Sequence, residues 1–246
     1  MPVATRLSRM CFLGAAVVVT VLPAASQVTY APDGGTRETI QSILITAKGG
    51  APFQATVVTS WKRRLEDGKE LTVYNHRTVA RDSTGRVFQE RRYLSPTGDK
   101  DLTQLSELDY YDPSRKEMTV CVPQRKVCTV QPWSLPVDDP LPLPATMTRA
   151  DGTKITRETL GEKTVDNLQV LGAHEITVSP RLGEAEPTVK ELWYSPLLGF
   201  NVNVRRFQPR GGAQDFELRA INRNEPDPRL FEPPQDYGIV RMVRER

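Results

Sequence analysis

The sequence predicts an all-β protein, a large curved antiparallel meander of about ten to twelve strands with very little helix. Between Phe53 and Arg64, apolar and polar residues alternate with a period of two, which is typical of a strand with one buried side. Short turn motifs, of which Glu66–Gly68 and Asp82–Gly85 are the first two, separate similar stretches almost to the C-terminus. Because strand, turn and strand repeat in this way, we expect most strands to pair with their chain neighbours.

The first 26 residues have the order of a cleaved secretory signal peptide. Arg6 and Arg9 form a basic start, Phe12–Leu22 is apolar, and small residues precede Gln27. An uncleaved membrane anchor is the alternative, but this run of about 11 apolar residues is shorter than the ~20 that span a bilayer. We therefore expect export to the periplasm or beyond, and a single β domain over residues 27–246.

The charge balance argues against a nucleic-acid partner. Residues 1–26 hold two of the 33 Lys and Arg and none of the 30 Asp and Glu, so the remaining chain has a formal net charge of +1. Such a chain has no overall field that attracts nucleic acid. No later stretch is apolar and long enough to cross a membrane, so we expect no transmembrane segment after cleavage.

Two cysteines remain after the leader, Cys121 and Cys128. Each lies in a short β-prone stretch, and Pro123–Arg125 supplies a turn between them. A pairing of Val122 with Val127 would place the two cysteines directly opposite each other, at a spacing that a disulfide tolerates. Export favours this disulfide. The alternatives are two free thiols, or a zinc pair for which no further ligands lie nearby.

The stretch Thr36–Ala47 fits either a helical stripe or a short first strand. We interpret it as a strand, because Gly49-Gly50 and Pro52 resemble a turn into the next strand. The following hairpin has a more definite register. A three-residue loop at Glu66–Gly68 places Trp61 opposite Val73 and keeps the apolar residues on one face.

The second turn decides which polar residues share that face. A four-residue turn at Asp82–Gly85 sets Arg77 opposite Glu90, whereas a three-residue turn would set Arg77 opposite Arg91, an unfavourable pair of like charges. We therefore predict the four-residue turn. It produces a polar patch, on the same face as Trp61, Val73 and Val79, that consists of Asn75, Arg77, Glu90 and Arg92. This patch is either a lattice of ion pairs that fixes the register or a polar floor under a ligand groove.

A Pro-rich strap, residues 132–146, separates the two halves of the meander. Its prolines cannot enter a ladder, so we expect an extended segment over an edge or end of the sheet. The second half then resumes with Asp166-Asn167 as a tight turn that sets Gly161 opposite Gly172. Near the C-terminus, Asp227 and Pro228 predict one capped helical turn whose Leu230 and Phe231 plug the core, and Pro233-Pro234 would end the fold.

The sequence offers little for catalysis, and we predict no enzyme and no cofactor. His76 and His174 are the only histidines, and they lack the spacing of a zinc site. No serine lies in a nucleophile elbow, and no glycine-rich loop opens a helix.

Several stretches resemble a family of uncharacterised exported proteins of Gram-negative bacteria, a domain of unknown function. They are Asn75–Arg77, Arg81–Arg92, Glu191–Pro196 and Asn222–Phe231. More distantly, the meander and the ending Phe231–Pro234 are similar to the periplasmic lipoprotein-carrier superfamily. That resemblance implies a half-barrel sheet that holds acyl chains in its concave face.

Two functions are compatible with this reading. The first is binding of an apolar or lipid ligand in the concave face of the sheet, with a lining of Trp61, Val73, Val79, Phe88, Trp193 and Phe200. The second is a protein-interaction module that docks an envelope partner through a sheet edge or the Pro-rich strap. An open apolar groove favours the first hypothesis, and a face filled by its own side chains favours the second.

Overall fold

A computed structural model describes residues 43–65, 67–96, 104–180, 187–209 and 211–242. The predicted signal peptide, residues 1–26, lies outside these residues. Within them, the regular elements are thirteen strands and two short 3₁₀ turns. The strands are, in chain order, β1 (Phe53–Arg64), β2 (Glu70–Arg81), β3 (Val87–Arg92), β4 (Leu105–Asp112), β5 (Glu117–Val122), β6 (Val127–Pro132), β7 (Ala145–Thr148), β8 (Lys154–Val165), β9 (Leu168–Val178), β10 (Thr188–Ser195), β11 (Phe200–Gln208), β12 (Gly212–Asn222) and β13 (Gly238–Arg241).

All thirteen strands belong to one curved open sheet, in the order β13-β6-β5-β4-β3-β2-β1-β12-β11-β10-β9-β8-β7. The pairing is antiparallel between every neighbour except β13 and β6, which run parallel. The predicted all-β meander is therefore confirmed, with one strand more than expected. The first strand lies in the middle, because β1 pairs with β2 on one side and with β12 on the other.

The register of the first hairpin is as predicted, with Trp61 opposite Val73 and Ala55 opposite Val79. Since directly opposed residues share a face, this register defines two sides of the sheet. The Val57 face carries Ala55, Val57 and Val79, and the Phe88 face carries Phe88 and the residues opposite it. The core of the Val57 face includes Ile43, Ile45, Ala47, Phe53, Val57, Val79, Leu198, Phe200, Val202, Phe216 and Leu218.

Residues 43–47, part of the predicted first strand, lie outside the sheet, so that prediction is wrong for the described residues. Ile43 and Ile45 are buried on the Val57 face, and the Ala47 N–H donates to the Pro136 carbonyl at 2.9 Å. The guanidinium of Arg81, which is fully buried, fixes this segment by donating to the carbonyls of Thr46 at 2.9 Å and Ala51 at 2.9 and 3.1 Å. Hydrogen bonds from the Arg81 side chain therefore hold this segment in place of backbone pairing with a strand.

The predicted register of the β2–β3 turn is wrong by one residue. The ladder pairs Val79 with Gln89 and Ala80 with Phe88, which is the three-residue alternative. Asp82 explains the tighter turn, because its carboxylate accepts hydrogen bonds from the Thr84 N–H at 3.0 Å and the Arg86 N–H at 2.9 Å. The argument from repulsion between Arg77 and Arg91 failed because it considered only β2 and β3. A third strand, β4, supplies the counter-charge for Arg91.

The Phe88 face has a smaller core built around the disulfide. Cys121 and Cys128 are directly opposed and bonded, as predicted, and neither is exposed. Phe88 packs there with Tyr110, at 5.4 Å between ring centroids. Phe231, from the 3₁₀ turn Pro228–Phe231, is buried in the same cluster.

The C-terminal turn is capped as predicted, since the Asp227 side chain accepts from the Arg229 N–H at 3.0 Å. However, Pro233-Pro234 does not end the fold. The chain continues into β13, which adds an edge strand next to β6.

The Pro-rich strap contacts residues 47 and 48 and the turn between β10 and β11. Lys48 forms an ion pair with Asp138 at 2.8 Å, and the Asp139 N–H donates to the Gly199 carbonyl at 2.7 Å. The expectation that none of its prolines enters a ladder is wrong for Pro132, which ends β6 opposite Glu117, and the last residues of the strap begin β7. The strap thereby ties residues 43–48 to the turn between β10 and β11.

Candidate functional site

A groove of about 410 Å³ lies on the Val57 face, over β3 to β6. We call it the Trp133 groove, and it is lined by Leu44, Gln89, Arg91, Glu107, Asp109, Met118, Val120, Gln131, Trp133 and Leu135. The apolar members come from β5, the Pro-rich strap and the segment 43–47. Trp133 is 50% exposed, so one wall presents an aromatic surface to solvent.

The floor of this groove is a chain of polar side chains from three strands. Arg77 Nη1 donates to Gln89 Oε1 at 3.1 Å, and Gln89 Nε2 donates to Asp109 Oδ2 at 3.3 Å. Arg91 Nε donates to the same Asp109 oxygen at 2.7 Å and lies 3.8 Å from a Glu107 carboxylate oxygen. Strand alternation places these residues together, because all of them lie on the Val57 face.

Arg77 is the most buried member, at 2% exposure. Burial, with the nearby charge of Arg91, lowers its pKa to about 10, although Asp109 and Glu90 oppose the shift. Its Nε and Nη2 atoms are buried without a hydrogen-bond partner among the described residues, and so is Asp109 Oδ1. Such groups are costly to leave unpaired, so the floor has unused hydrogen-bonding capacity.

Glu107 lies at the rim of the polar floor. Burial raises the pKa of its carboxyl, the charge of Asp109 adds to the shift, and Arg91 opposes it. The ionised carboxylate is therefore less favourable here than in water.

A second groove, of about 230 Å³, lies on the other side of Leu44. We call it the Leu192 groove, and it is lined by Ile43, Leu44, Asp139, Lys190, Leu192, Asn201, Val204, Arg206, Gln214 and Phe216. The register sets Lys190 opposite Arg206, and Arg206 opposite Gln214, so three polar side chains form a row across β10, β11 and β12.

A third groove, of about 360 Å³, lies on the Phe88 face between β5, β6, β13 and the last 3₁₀ turn. Its arginines are already neutralised. Arg86 pairs with Asp82, Arg115 pairs with Asp112, and Arg241 pairs with Glu117. Burial raises the pKa of Tyr110, also in its wall, to about 12, and Tyr237 and Asp109 add to the shift.

The six residues predicted to line a ligand site are all buried. Trp61 and Val73 form a separate small cluster with Leu94, and Trp61 Nε1 donates to the Gly211 carbonyl at 2.7 Å. Val79 lies in the main core, and Phe200 packs there against Phe53 at 5.5 Å between centroids. The part of these residues in ligand binding stays a prediction.

Phe88 lies in the smaller core of the Phe88 face, whereas Trp193 belongs to the main core cluster that contains Val57. The ladder pairs Trp193 with Asn203 and with Gly172, next to a register shift between Trp193 and Tyr194. The Trp193 ring lies close to Gly172, which is itself opposite Gly161 as predicted. The missing side chain at Gly172 makes room for this ring.

The predicted polar patch is divided between the two faces by the shifted register. Asn75 and Arg77 lie on the Val57 face, whereas Glu90 and Arg92 form an ion pair on the Phe88 face at 3.1 Å. Glu90 also accepts from the Thr78 N–H at 2.8 Å. A one-residue shift in register moves every side chain of a strand to the opposite face. The predicted patch therefore did not include Gln89, to which Arg77 is hydrogen-bonded.

Sequence reasoning missed Gln89, Arg91, Asp109 and Trp133. The correct turn length would have identified the first two, and the alternation within β4 would then have placed Asp109 beside them. The local sequence did not predict that Trp133 lines a groove, because its position depends on how the strap packs against the sheet.

In the part of the chain that the structure describes, no group of three or more His, Cys, Asp or Glu residues could hold a metal ion. The two described 3₁₀ turns are also far shorter than a membrane-spanning helix.

No protein-family model matches the chain, and no curated protein matches it. Among solved structures, the MucA/MucB complex of Pseudomonas aeruginosa is similar at 14% identity and a TM-score of 0.43, covering 79% of this chain and 59% of that one. A DUF1329 family protein from Desulfovibrio piger is similar at 12% identity and a TM-score of 0.31, and the match covers 76% of this chain and 91% of that one. The predicted distant resemblance has a counterpart in a putative outer membrane lipoprotein-sorting protein domain from Vibrio parahaemolyticus. The identity is 9% and the TM-score 0.19, and the match covers 72% of this chain and 87% of that one.

The chain thus spans about three fifths of the length of the MucB structure that it matches. At these TM-scores the likeness carries no argument about function.

Proposed function

We propose that this is an exported, non-enzymatic envelope protein that binds an amphiphilic ligand, an acyl chain with a polar head, in the Trp133 groove. The observation that carries the proposal is an open groove of about 410 Å³ with a half-exposed tryptophan above a polar floor. Such a volume falls within the ~300–1,000 Å³ of small-molecule sites.

The apolar wall suits an alkyl chain. Leu44, Met118, Val120 and Leu135 line it together with Trp133. Each buried methylene gains about 0.8 kcal/mol, so even a short length of chain along this wall gives measurable affinity.

The floor suits an uncharged polar head. Arg91 is balanced by Asp109 and by the neighbouring Glu107, so the groove offers no unbalanced charge at its surface. The unpartnered Asp109 Oδ1 supplies an acceptor in the lining of the groove, and the unpartnered nitrogens of Arg77 lie buried beneath it, next to Gln89. A hydroxyl group can donate to such a carboxylate oxygen, and a hydroxyl or ester oxygen can accept from donors in the floor.

Native mass spectrometry of protein purified from the periplasm without detergent tests this proposal, followed by titration with a monoacylglycerol. We expect an adduct with the mass of an acyl-containing lipid, and we expect Trp133→Ala to reduce monoacylglycerol affinity by ~10-fold or more. Phe207→Ala is the matched control, because Phe207 is also 50% exposed but lines none of the three grooves. Equal losses in both variants, or no monoacylglycerol binding to the wild type, would contradict the proposal.

The proposed export rests on the leader-like order of residues 1–26 and on the disulfide. A cross-strand disulfide persists in oxidising compartments and is rare in the cytosol. N-terminal sequencing of the purified protein is expected to begin at Gln27, and a start at Met1 or Pro2 would overturn the assignment.

A second candidate function, docking of an extended segment of an envelope protein, is favoured by the β13 edge. All four residues of β13 are exposed, and no described strand pairs beyond it. The Gly238 N–H donates to the carbonyl of Lys126, which precedes β6, and the Met242 N–H donates to the carbonyl of Val130 in β6. The N–H groups of Ile239 and Arg241 therefore point to the open edge. Ile239→Pro would remove one of these donors and is expected to abolish a crosslink to such a partner.

A further inference from the structure

We infer that the Leu192 groove is a second, separate binding site, and that it takes a small organic anion, a carboxylate on a short alkyl chain. This inference is independent of the ligand proposed for the Trp133 groove. The sequence alone does not indicate this site, because Arg206 can be recognised as a candidate ligand-binding residue only once its neighbours in the sheet are known.

The central observation is that the guanidinium of Arg206 is not fully hydrogen-bonded. Its Nε atom is buried and has no hydrogen-bond partner among the described residues, and no described carboxylate forms an ion pair with it. A guanidinium presents its donors as a planar fork that matches a carboxylate in a bidentate arrangement. A buried donor without a partner is costly, so a bound carboxylate would remove that cost.

The neighbouring charges favour an anion. Lys190 is directly opposite Arg206, and like charges in this position repel each other. Glu175 balances Lys190, at 3.2 Å, but the same carboxylate also binds Arg157 at 2.5 Å. One carboxylate therefore serves two cations, and Arg206 is left as a third.

The acidic group at the far end of the groove is already engaged. Asp139 accepts from Asn201 Nδ2 at 2.7 Å. Burial raises the pKa of this carboxyl, although the Asn201 hydrogen bond opposes the shift. The groove consequently has a cationic end at Arg206 and a weakly acidic end at Asp139.

The remaining wall is apolar and small. Leu192, Val204 and Phe216 lie beside Arg206 on the Val57 face, and Leu44 closes the side toward the Trp133 groove. A volume of about 230 Å³ is below the ~300 Å³ at which drug-sized sites begin. The site therefore fits a short alkyl carboxylate rather than a full lipid.

The test is calorimetric titration of the full-length Trp133→Ala variant, in which the proposed acyl-chain site is weakened, with octanoate, and with octan-1-ol and acetate as comparison ligands. We expect saturable octanoate binding, with octan-1-ol and acetate each binding at least ~10-fold more weakly, because each lacks one half of the recognised chemistry. Octan-1-ol binding as tightly as octanoate, or no octanoate binding at all, would overturn the inference.

Arg206→Gln is expected to weaken octanoate binding by ~10-fold or more, since a hydrogen bond to a charged group is lost. Arg205→Gln is the matched control: Arg205 is the preceding residue, points to the other face and is paired with Asp215 at 3.1 Å. We expect that control, and Trp133→Ala, to change octanoate affinity by less than ~2-fold, which separates this site from the Trp133 groove. An equal loss in the Arg205 and Arg206 variants would contradict the assignment.

The thermal midpoint separates a binding role from a structural one. Arg206→Met removes the unpartnered donor and keeps the aliphatic stem, so we expect an unchanged or higher midpoint in the absence of ligand. A lower midpoint would assign Arg206 to the support of the fold instead.

Discussion

Arg81 shows at the scale of one residue how the Val57 face is closed. It is fully buried, contacts Phe53 and Phe200 with its guanidinium at 5.2 and 5.7 Å, and donates only to uncharged oxygens of Thr46 and Ala51. Burial lowers its pKa to about 10, and the distant charge of Asp138 opposes that shift. A charge retained under these conditions has a structural task, which is to fix residues 43–51.

Arg81→Met is expected to lower the free energy of unfolding by about 3 kcal/mol, because it leaves several buried oxygens without donors. Urea denaturation measures the loss. Arg219→Met is the control, since Arg219 is 60% exposed and pairs with Glu217 on the surface. Similar losses in the two variants would show that the Arg81 hydrogen bonds contribute nothing specific.

Glu107 provides a pH-dependent prediction. Its pKa is raised in the folded protein, so the folded state binds the proton more strongly, and stability falls as the pH rises from the unfolded to the folded pKa. Glu107→Gln is therefore expected to raise the thermal midpoint at pH 7 and to have little effect at pH 3. Glu158→Gln, at an exposed position of β8, is the control. A gain that is equal at both pH values would contradict this account.

At the scale of elements, the disulfide hairpin of β5 and β6 is the clearest success of sequence reasoning. Two β-prone stretches around Pro123–Arg125 sufficed to place Cys121 opposite Cys128. The β2–β3 turn was the clearest failure. Its length depends on the hydrogen bonds of Asp82, and the argument against the correct register depended on charges from β4 that a hairpin considered alone does not contain.

Loss of the disulfide is expected to lower the free energy of unfolding by about 2–3 kcal/mol, the loop-entropy value for a sequence separation of 7. The measurement is guanidinium denaturation of the oxidised protein, of the reduced protein and of a Cys121→Ser, Cys128→Ser double variant. A reductant should leave the double variant unchanged. Coincident transitions of the oxidised and reduced wild type would show that this cross-link does not stabilise the fold.

At the scale of the whole molecule, alternation and turn motifs predicted the class and most strand pairs, because antiparallel neighbours in the chain are neighbours in the sheet. The groove residues were harder to predict, because Leu44 and Trp133 come from segments outside the ladder. Their positions depend on contacts between distant parts of the chain, such as that between Ala47 and Pro136. Local patterns do not encode such contacts.

The central position of β1 has a consequence for how the protein is made. Its partner β12 follows late in the chain, and Trp61 and Gly211, which are hydrogen-bonded, are 150 positions apart. A chain that is synthesised from its N-terminus presents β1 to β6 early, while the side of β1 that pairs with β12 is still unpaired. Until β12 is made, the growing protein is a half-sheet whose edge is β1, a strand that buries Phe53, Val57 and Trp61 in the finished fold. The interval between these two events is when a chaperone, or a second nascent copy, has access to that edge.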